Sequence, residues 1–149
     1  MPKAIIVYAS LTGNTEEMAL LLAEEFNRLQ VEVEVVEAMQ VYPEELKTVD
    51  ICVVATYTYG TDGNLPDEMI DFYQDMEKVD LKGKVFGVLG SGQRFYEHFC
   101  RAVDDFDRQF EATGALRGAK PIKIELNVSK SDLPLLKKFA NDLVQTYRK

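Results

Sequence analysis

Several features that would indicate common functional classes are scarce or absent in this 149-residue sequence. No window of about 18 uncharged apolar residues occurs, so no membrane-spanning helix is predicted. The first nine residues lack the length and the cleavage site of a signal peptide, and a cytoplasmic protein is therefore expected. The two cysteines, Cys52 and Cys100, and the single histidine, His98, form neither a CxxC motif nor a metal-ligand pattern. Both cysteines are expected to be buried, reduced thiols, and no metal site is predicted.

Basic residues are fewer than acidic residues. The chain carries 17 Lys and Arg residues against 25 Asp and Glu residues, a formal net charge of -8. Because a phosphate backbone is bound by a basic face, this balance argues against a nucleic-acid partner. A protein partner that is attracted by charge should itself be basic.

Apolar runs alternate with amphipathic helical patterns along the whole chain, without a low-complexity linker or an internal repeat. Residues 1–149 are therefore predicted to form a single domain of ordinary size. Strands are predicted over 3–9, 31–37, 50–55, 84–90 and 120–127, and helices over 15–30, 65–78, 96–113 and 131–147, with a short helix or irregular connection over 39–48. Within these, Asn64 is the predicted N-cap of the second helix, with Pro66 in its first turn, and Ser129 or Ser131 that of the last.

The strand patterns predict a parallel sheet. The first, third and fourth strands are nearly continuous apolar runs, as expected where both faces are covered, whereas 31–37 alternates like an edge strand. Five strands alternating with helices predict an α/β fold of three layers, a doubly wound parallel sheet with helices on both faces. Ligands of such sheets bind beyond the carboxyl ends of the strands, so a ligand is expected at loops 10–15, 56–65 and 91–95.

The first of these loops is suited to an anion but contains no cation. Ser10, Thr12, Asn14 and Thr15 supply neutral donors at a helix N-terminus, and Gly13 permits a close backbone approach. A Walker loop would need GxxxxGK, and a dinucleotide loop would need GxGxxG; both motifs are missing. The remaining interpretations are a phosphate monoester that is held without reacting, such as the tail of a mononucleotide cofactor, or an ordinary capped turn.

The second and third loops are rich in aromatic residues. Tyr57 and Tyr59 follow the third strand, and Phe95, Tyr96 and Phe99 follow the fourth. Flat side chains at a ligand-binding edge form stacking surfaces. Together with the phosphate donors of the first loop, they predict a site for a planar ring on a phosphorylated tail.

Taken together, these loops make the sequence resemble the flavodoxin family. SLTGNTEEM is similar to the family's phosphate loop, ATYTYG to its second flavin loop, and GSGQRFYEHFCRAVDDFD to its third loop and following helix. The last strand lacks an insertion of about twenty residues, which resembles the short-chain branch. The resemblance implies strand order 2-1-3-4-5, noncovalently bound FMN and no catalytic residue.

The resemblance also implies a role for each residue at the site. The phosphate would be bound by Ser10, Leu11, Thr12, Gly13, Asn14 and Thr15, and Thr56, Tyr57 and Thr58 would flank the phosphate and ribityl chain. Tyr59 would be the inner and Tyr96 the outer aromatic neighbour of the ring, and the Gly60 peptide would turn toward flavin N5 in the semiquinone. Ser91, Gly92 and Gln93 would give backbone contacts to the pyrimidine edge, with Phe99 nearby.

The implied function is that of a low-potential, one-electron carrier that cycles mainly between semiquinone and hydroquinone and has no substrate of its own. Acidic residues over 62–80 would disfavour the hydroquinone anion and attract redox proteins with basic faces, namely reductase-type donors and redox-enzyme acceptors. A monomer is expected. Two departures from the family pattern are a second loop that is one residue longer and Gln93-Arg94 in place of an acid and a small polar residue.

Two other classes of protein would show different sequence features. A flavodoxin-like module that activates one metalloenzyme, or that acts as a small flavin or quinone reductase, would show longer flavin loops or an appended domain. A receiver-type signalling module would need an acidic cluster after the first strand and a Lys after the fifth, and Ser10 and Ile124-Glu125-Leu126 offer neither at those positions.

Overall fold

The computed structural model describes residues 2–10, 13–58, 65–92, 100–125 and 128–149. The strands are β1 (Lys3–Tyr8), β2 (Glu32–Glu37), β3 (Ile51–Tyr57), β4 (Val85–Gly92), β5 (Leu116–Arg117) and β6 (Ile122–Glu125). The helices are α1 (Asn14–Arg28), α2 (Asp67–Asp75), α3 (Arg101–Ala112) and α4 (Leu133–Arg148), and short 3-10 helices span Ala38–Gln40, Pro43–Thr48, Met76–Lys78 and Lys130–Asp132.

The strands form one parallel sheet in the order β2-β1-β3-β4-β5, with β6 also paired to β4. This confirms the predicted fold class. β1 lies between β2 and β3, so the order of the chain reverses beside its carboxyl end. The exposure of β2 alternates along the strand, as predicted for an edge.

Two apolar layers hold the helices against the sheet. Ile6 of β1 packs in a cluster with α1 and α4 residues such as Phe26 and Phe139. Ile5 faces the other way and packs in a cluster that contains Phe106 of α3 and Phe72 of α2. Successive side chains of a strand point to opposite faces, so the nearly continuous apolar strands fill both layers at once.

The predicted continuous fifth strand over 120–127 is wrong in its extent. Among the described residues, only β6 (Ile122–Glu125) lies within the predicted range, and it pairs with Leu89 to Gly92. β5 precedes that range, pairs with Val85 and Phe86, and was not predicted. Between them, a Cβ added to Gly118 would lie 2.4 Å from Val85 Cγ1. The backbone is therefore pressed against β4 there, and Pro121 cannot donate to a ladder.

Three predicted helix starts also need correction. Helix α2 begins at Asp67 with Pro66 rather than Asn64 as its N-cap. Helix α3 begins at Arg101, because Cys100 takes a left-handed conformation with φ 52° that interrupts a helix, and the predicted part over 96–99 lies outside the described residues. Helix α4 begins at Leu133, after a 3-10 turn that Ser129 caps. The predicted end of α3 before Gly114, at φ 90°, is confirmed.

The two cysteines are buried and form no disulfide, as predicted. Burial raises the pKa of the Cys52 thiol to about 12, so it stays protonated at neutral pH. None of the described helices is long and apolar enough to span a membrane.

Candidate functional site

The structure describes part of the site that the sequence predicts. The described members are Ser10, Gly13, Asn14, Thr15, Thr56, Tyr57, Thr58, Ser91 and Gly92. The members that lie outside the described residues are Leu11, Thr12, Tyr59, Gly60, Gln93, Tyr96 and Phe99, as do Arg94, Phe95 and His98.

The first loop leads directly from β1 into α1. Gly13 is the N-cap of α1 with φ 90°, a conformation that favours glycine, and no side chain caps this helix end. A Cβ added to Gly13 would have no atom within 4 Å, so the space beside the loop is open. Backbone N–H groups at such a helix end, together with the helix dipole, attract an anion.

Ser10 provides the most informative polar atom of this loop. Its Oγ is buried, and it has no hydrogen-bond partner in the described part of the chain. A buried hydroxyl without a partner is costly, by about 1–3 kcal/mol. An acceptor held at the loop would satisfy it.

Hydrogen bonds join the three loops to one another. The Thr15 and Ser91 hydroxyl oxygens lie 3.4 Å apart, which connects the first loop to the end of β4. The N–H of Thr58 donates to the Ser91 carbonyl at 3.1 Å, and Thr58 Oγ1 accepts from the Ala102 N–H at 3.1 Å. The described residues of the predicted site are thus brought together at one edge of the sheet.

Two glycines allow the close packing at this edge. A Cβ on Gly90 would lie 2.2 Å from the Thr56 carbonyl oxygen, and one on Gly92 would lie 3.0 Å from Cys100 Sγ. Ordinary side chains do not fit at either place without movement of neighbours. Gly92 is a predicted site residue, and its contact with Cys100 is not indicated by the motif.

Carboxylates surround the other side of the first loop. A cavity of about 170 Å³ is lined by Ser10 and Gly13 and by the side chains of Glu16, Glu37 and Glu68. The Tyr8 hydroxyl donates to Glu16 at 2.9 Å and lies 3.4 Å from Glu37. Burial, together with these two carboxylates, raises the pKa of Tyr8 to about 12. Tyr8 was not predicted as a functional residue, since it reads as the apolar end of a strand.

The second loop has its own tyrosine–carboxylate contact. Tyr57 Oη donates to Glu68 Oε2 at 2.8 Å, which ties the end of β3 to the first turn of α2. The two contacts give Glu16 and Glu68 one hydrogen-bond donor each, and the negative charge of both carboxylates remains beside the first loop.

A larger cavity of about 530 Å³ lies elsewhere, at the break between β5 and β6 and against α4. None of the predicted site residues lines it, so it does not belong to the site at the loops. Among the described residues, no group of three or more His, Cys, Asp or Glu side chains could hold a metal ion.

The described fold and site define a class of protein, the doubly wound α/β proteins that bind a phosphorylated ligand where the strand order reverses. A family model described as flavodoxin matches residues 6–136, and the chain belongs to the flavodoxin family.

Individual relatives agree with this assignment. The chain is 41% identical over 128 residues to probable flavodoxin 2 of Bacillus subtilis, and the matched region covers 85% of this chain and 84% of that protein. The solved flavodoxin of Streptococcus pneumoniae TIGR4 is 48% identical, with a TM-score of 0.94 over 97% of this chain and 99% of that one. A short-chain flavodoxin associated with a bacterial microcompartment is 43% identical, with a TM-score of 0.95 over 99% of each chain.

Flavodoxins bind FMN and carry electrons, so the chain is an FMN-binding electron carrier. The described residues fit this cofactor. The Ser10 hydroxyl is buried without a partner among them, and three residues later Gly13 begins α1 with no side-chain cap and with open space beside it. The first loop is therefore the candidate site for the FMN phosphate.

Proposed function

We propose that this protein shuttles electrons one at a time between redox proteins, working mainly between the semiquinone and hydroquinone states of FMN at low potential. FMN supplies the redox chemistry when it is bound, and the chain binds, orients and shields it. We assign the phosphate to Ser10, Gly13, Asn14 and Thr15, together with Leu11 and Thr12. The remaining contacts are assigned as the motifs imply, to Thr56, Tyr57, Thr58, Tyr59, Gly60, Ser91, Gly92, Gln93, Tyr96 and Phe99.

The observation that carries this assignment is the Ser10 hydroxyl, which is buried and has no partner among the described residues. It lies at the end of β1, three residues before an N-cap glycine with open space beside it. A buried hydroxyl in this position destabilises the protein unless an acceptor binds to it. A phosphate monoester would supply that acceptor without a cation in the loop.

Negative charge beside the site supports the proposed partners. Asp67, Asp71 and Asp75 are exposed on α2 and form no ion pair with any described residue. Asp104 and Asp105 differ from them, because Lys123 and Arg108 pair with these two carboxylates. The face of α2 therefore carries uncompensated charge that would attract basic redox proteins.

A spectroscopic titration tests the function. The purified protein, loaded with FMN, is reduced stepwise in the absence of oxygen while its visible spectrum is recorded. We expect bound oxidised flavin, then a long-wavelength radical band at half reduction. Reduction in a single two-electron step would contradict one-electron transfer, and rapid NAD(P)H oxidation by the isolated protein would favour the flavin reductase alternative.

A further inference from the structure

A pair of buried hydroxyl groups links the phosphate loop to the strand that leads to the ring-binding loops. Thr15 is 1% exposed and Ser91 is 5% exposed, and their oxygens lie 3.4 Å apart. Neither side chain has another hydrogen-bond partner in the described part of the chain. The motifs assign only backbone contacts to Ser91, so its hydroxyl has no role in the family pattern.

The direction of this hydrogen bond matters. Each hydroxyl has one proton to donate and two lone pairs, and either oxygen could be the donor here. When Thr15 donates to Ser91, only its lone pairs are free to face the loop, and these repel an anion. When Ser91 donates to Thr15, the Thr15 proton is free for an anion at the loop.

The distance indicates that this pair is only weakly fixed. It exceeds the separation of about 2.7–2.8 Å that is typical between hydroxyl oxygens. Reversal of the bond should therefore cost little free energy. A hydroxyl that already accepts a hydrogen bond becomes a better donor, since bonds in a chain polarise one another.

We propose that Ser91 is a positioning residue for phosphate recognition: its hydroxyl donates to Thr15 and thereby directs the Thr15 proton to the phosphate of FMN. This inference rests on the proposed function, because it requires that the first loop binds the phosphate. The end of β4 would then contribute to recognition of the FMN phosphate as well as of the flavin ring. Ser91 would favour FMN over riboflavin without touching the phosphate.

The affinities of the apoprotein for FMN and for riboflavin test this proposal, measured by quenching of flavin fluorescence. For Ser91→Ala we expect FMN binding about threefold to tenfold weaker, because the Thr15 hydroxyl loses the hydrogen bond that orients and polarises it as a donor to the phosphate. Riboflavin lacks the phosphate, and its affinity should change less than about twofold. Equal losses for both flavins, or no loss for FMN, would overturn the proposal.

Two further variants separate the hydrogen bond from packing. Ser91→Cys keeps a side chain of similar shape but is a weak donor, so it should behave like Ser91→Ala; full FMN affinity in this variant would contradict the proposal. In a Thr15→Val background, Ser91→Ala should have no further effect on FMN binding, because the group that it orients is gone. An undiminished second effect would show that Ser91 acts independently of Thr15.

The proposed function can fail separately. If the unmodified apoprotein bound FMN no more tightly than riboflavin, the phosphate assignment itself would be wrong. If it prefers FMN and Ser91→Ala retains the full preference, only the role of Ser91 is refuted.

Discussion

The Thr58 hydroxyl accepts a hydrogen bond of 3.1 Å from the backbone N–H of Ala102, so a residue of the second loop caps helix α3 across 44 positions of sequence. The backbone N–H of Thr58 donates to the Ser91 carbonyl, also at 3.1 Å. One residue therefore binds both the strand before the third loop and the helix after it. This arrangement sets the spacing between the two loops that are expected to enclose the flavin ring.

Thr58→Val should destabilise the protein by about 1–2 kcal/mol, because it preserves shape but leaves the buried Ala102 N–H without its acceptor. Urea unfolding of the apoprotein measures this change. Thr48→Val is a matched control, since Thr48 bonds only locally in an exposed 3-10 helix, and it should cost less than about 0.5 kcal/mol. Equal effects of the two variants would show that the Thr58 cap does not contribute to stability.

Gly90→Ala should destabilise the sheet at the edge that carries the loops. The added Cβ would lie 2.2 Å from the Thr56 carbonyl oxygen and 2.6 Å from Val103 Cγ2, and the first of these belongs to rigid backbone. Overpacking of this kind costs about 1–3 kcal/mol. Urea unfolding should show this loss, whereas Gly83→Asn should cost less, because position 83 has open space and only the backbone strain of its positive φ, which Asn adopts more readily than most residues, opposes the change. A Gly90→Ala variant as stable as Gly83→Asn would contradict the close approach.

Ser10→Ala should have opposite effects on the free and the loaded protein. Removal of a buried hydroxyl without a partner should leave the unfolding free energy of the apoprotein unchanged or raise it by up to about 1 kcal/mol. Loss of a hydrogen bond to a charged phosphate should weaken FMN binding about tenfold to 150-fold. Riboflavin binding should be unchanged, as should both affinities for the exposed control Ser131→Ala. Unaltered FMN affinity in Ser10→Ala would remove Ser10 from the phosphate site.

Local patterns predicted the sheet well because its strands are buried on both faces. Ile5 and Ile6 belong to opposite layers, and a run in which both must be apolar is typical of a central parallel strand. The loop positions followed, since strand order determines which carboxyl ends lie together. That the first loop binds a phosphate stays a prediction, which the unpartnered Ser10 hydroxyl supports.

Features that depend on distant contacts could not be predicted. Apolar periodicity continues through Cys100 into α3, yet Cys100 adopts φ 52° where it packs against Gly92. β5 has only two residues, and it is held by the neighbouring segment: the Leu116 N–H donates to the Lys84 carbonyl, and the N–H of Gly118, directly after β5, donates to the Phe86 carbonyl. The Thr58 cap and the Thr15–Ser91 pair join residues that are far apart in the chain, where no periodic pattern can indicate them.

Tyr8 should make stability fall at alkaline pH. Burial and the carboxylates of Glu16 and Glu37 raise its pKa to about 12, whereas a tyrosine in the unfolded chain has a pKa of about 10. Above pH 10 the unfolded state loses this proton while the folded state keeps it, so the stabilisation is complete below pH 10 and is lost as the pH rises through 12. Tyr8→Phe lacks this titration, and the stability advantage of the unmodified protein over it should shrink between pH 9 and pH 11. An advantage that stays constant in urea unfolding would refute the raised pKa.

The unpaired acids of α2 should affect electron transfer according to the charge of the partner. Asp71 and Asp75 are exposed and form no ion pair with any described residue, so Asp71→Asn with Asp75→Asn removes two charges without breaking an ion pair in that part of the chain. A reduced, FMN-loaded double variant should pass electrons to a cationic metal complex about two- to fourfold more slowly at low salt, and to an anionic complex faster. Both differences should vanish near 1 M salt, where the Debye length is about 3 Å. Glu34→Gln removes one exposed charge from the edge strand β2 and should change neither rate, because this position lies away from the loops. Equal changes for the cationic and the anionic complex would mean that the α2 carboxylates do not steer partners by charge.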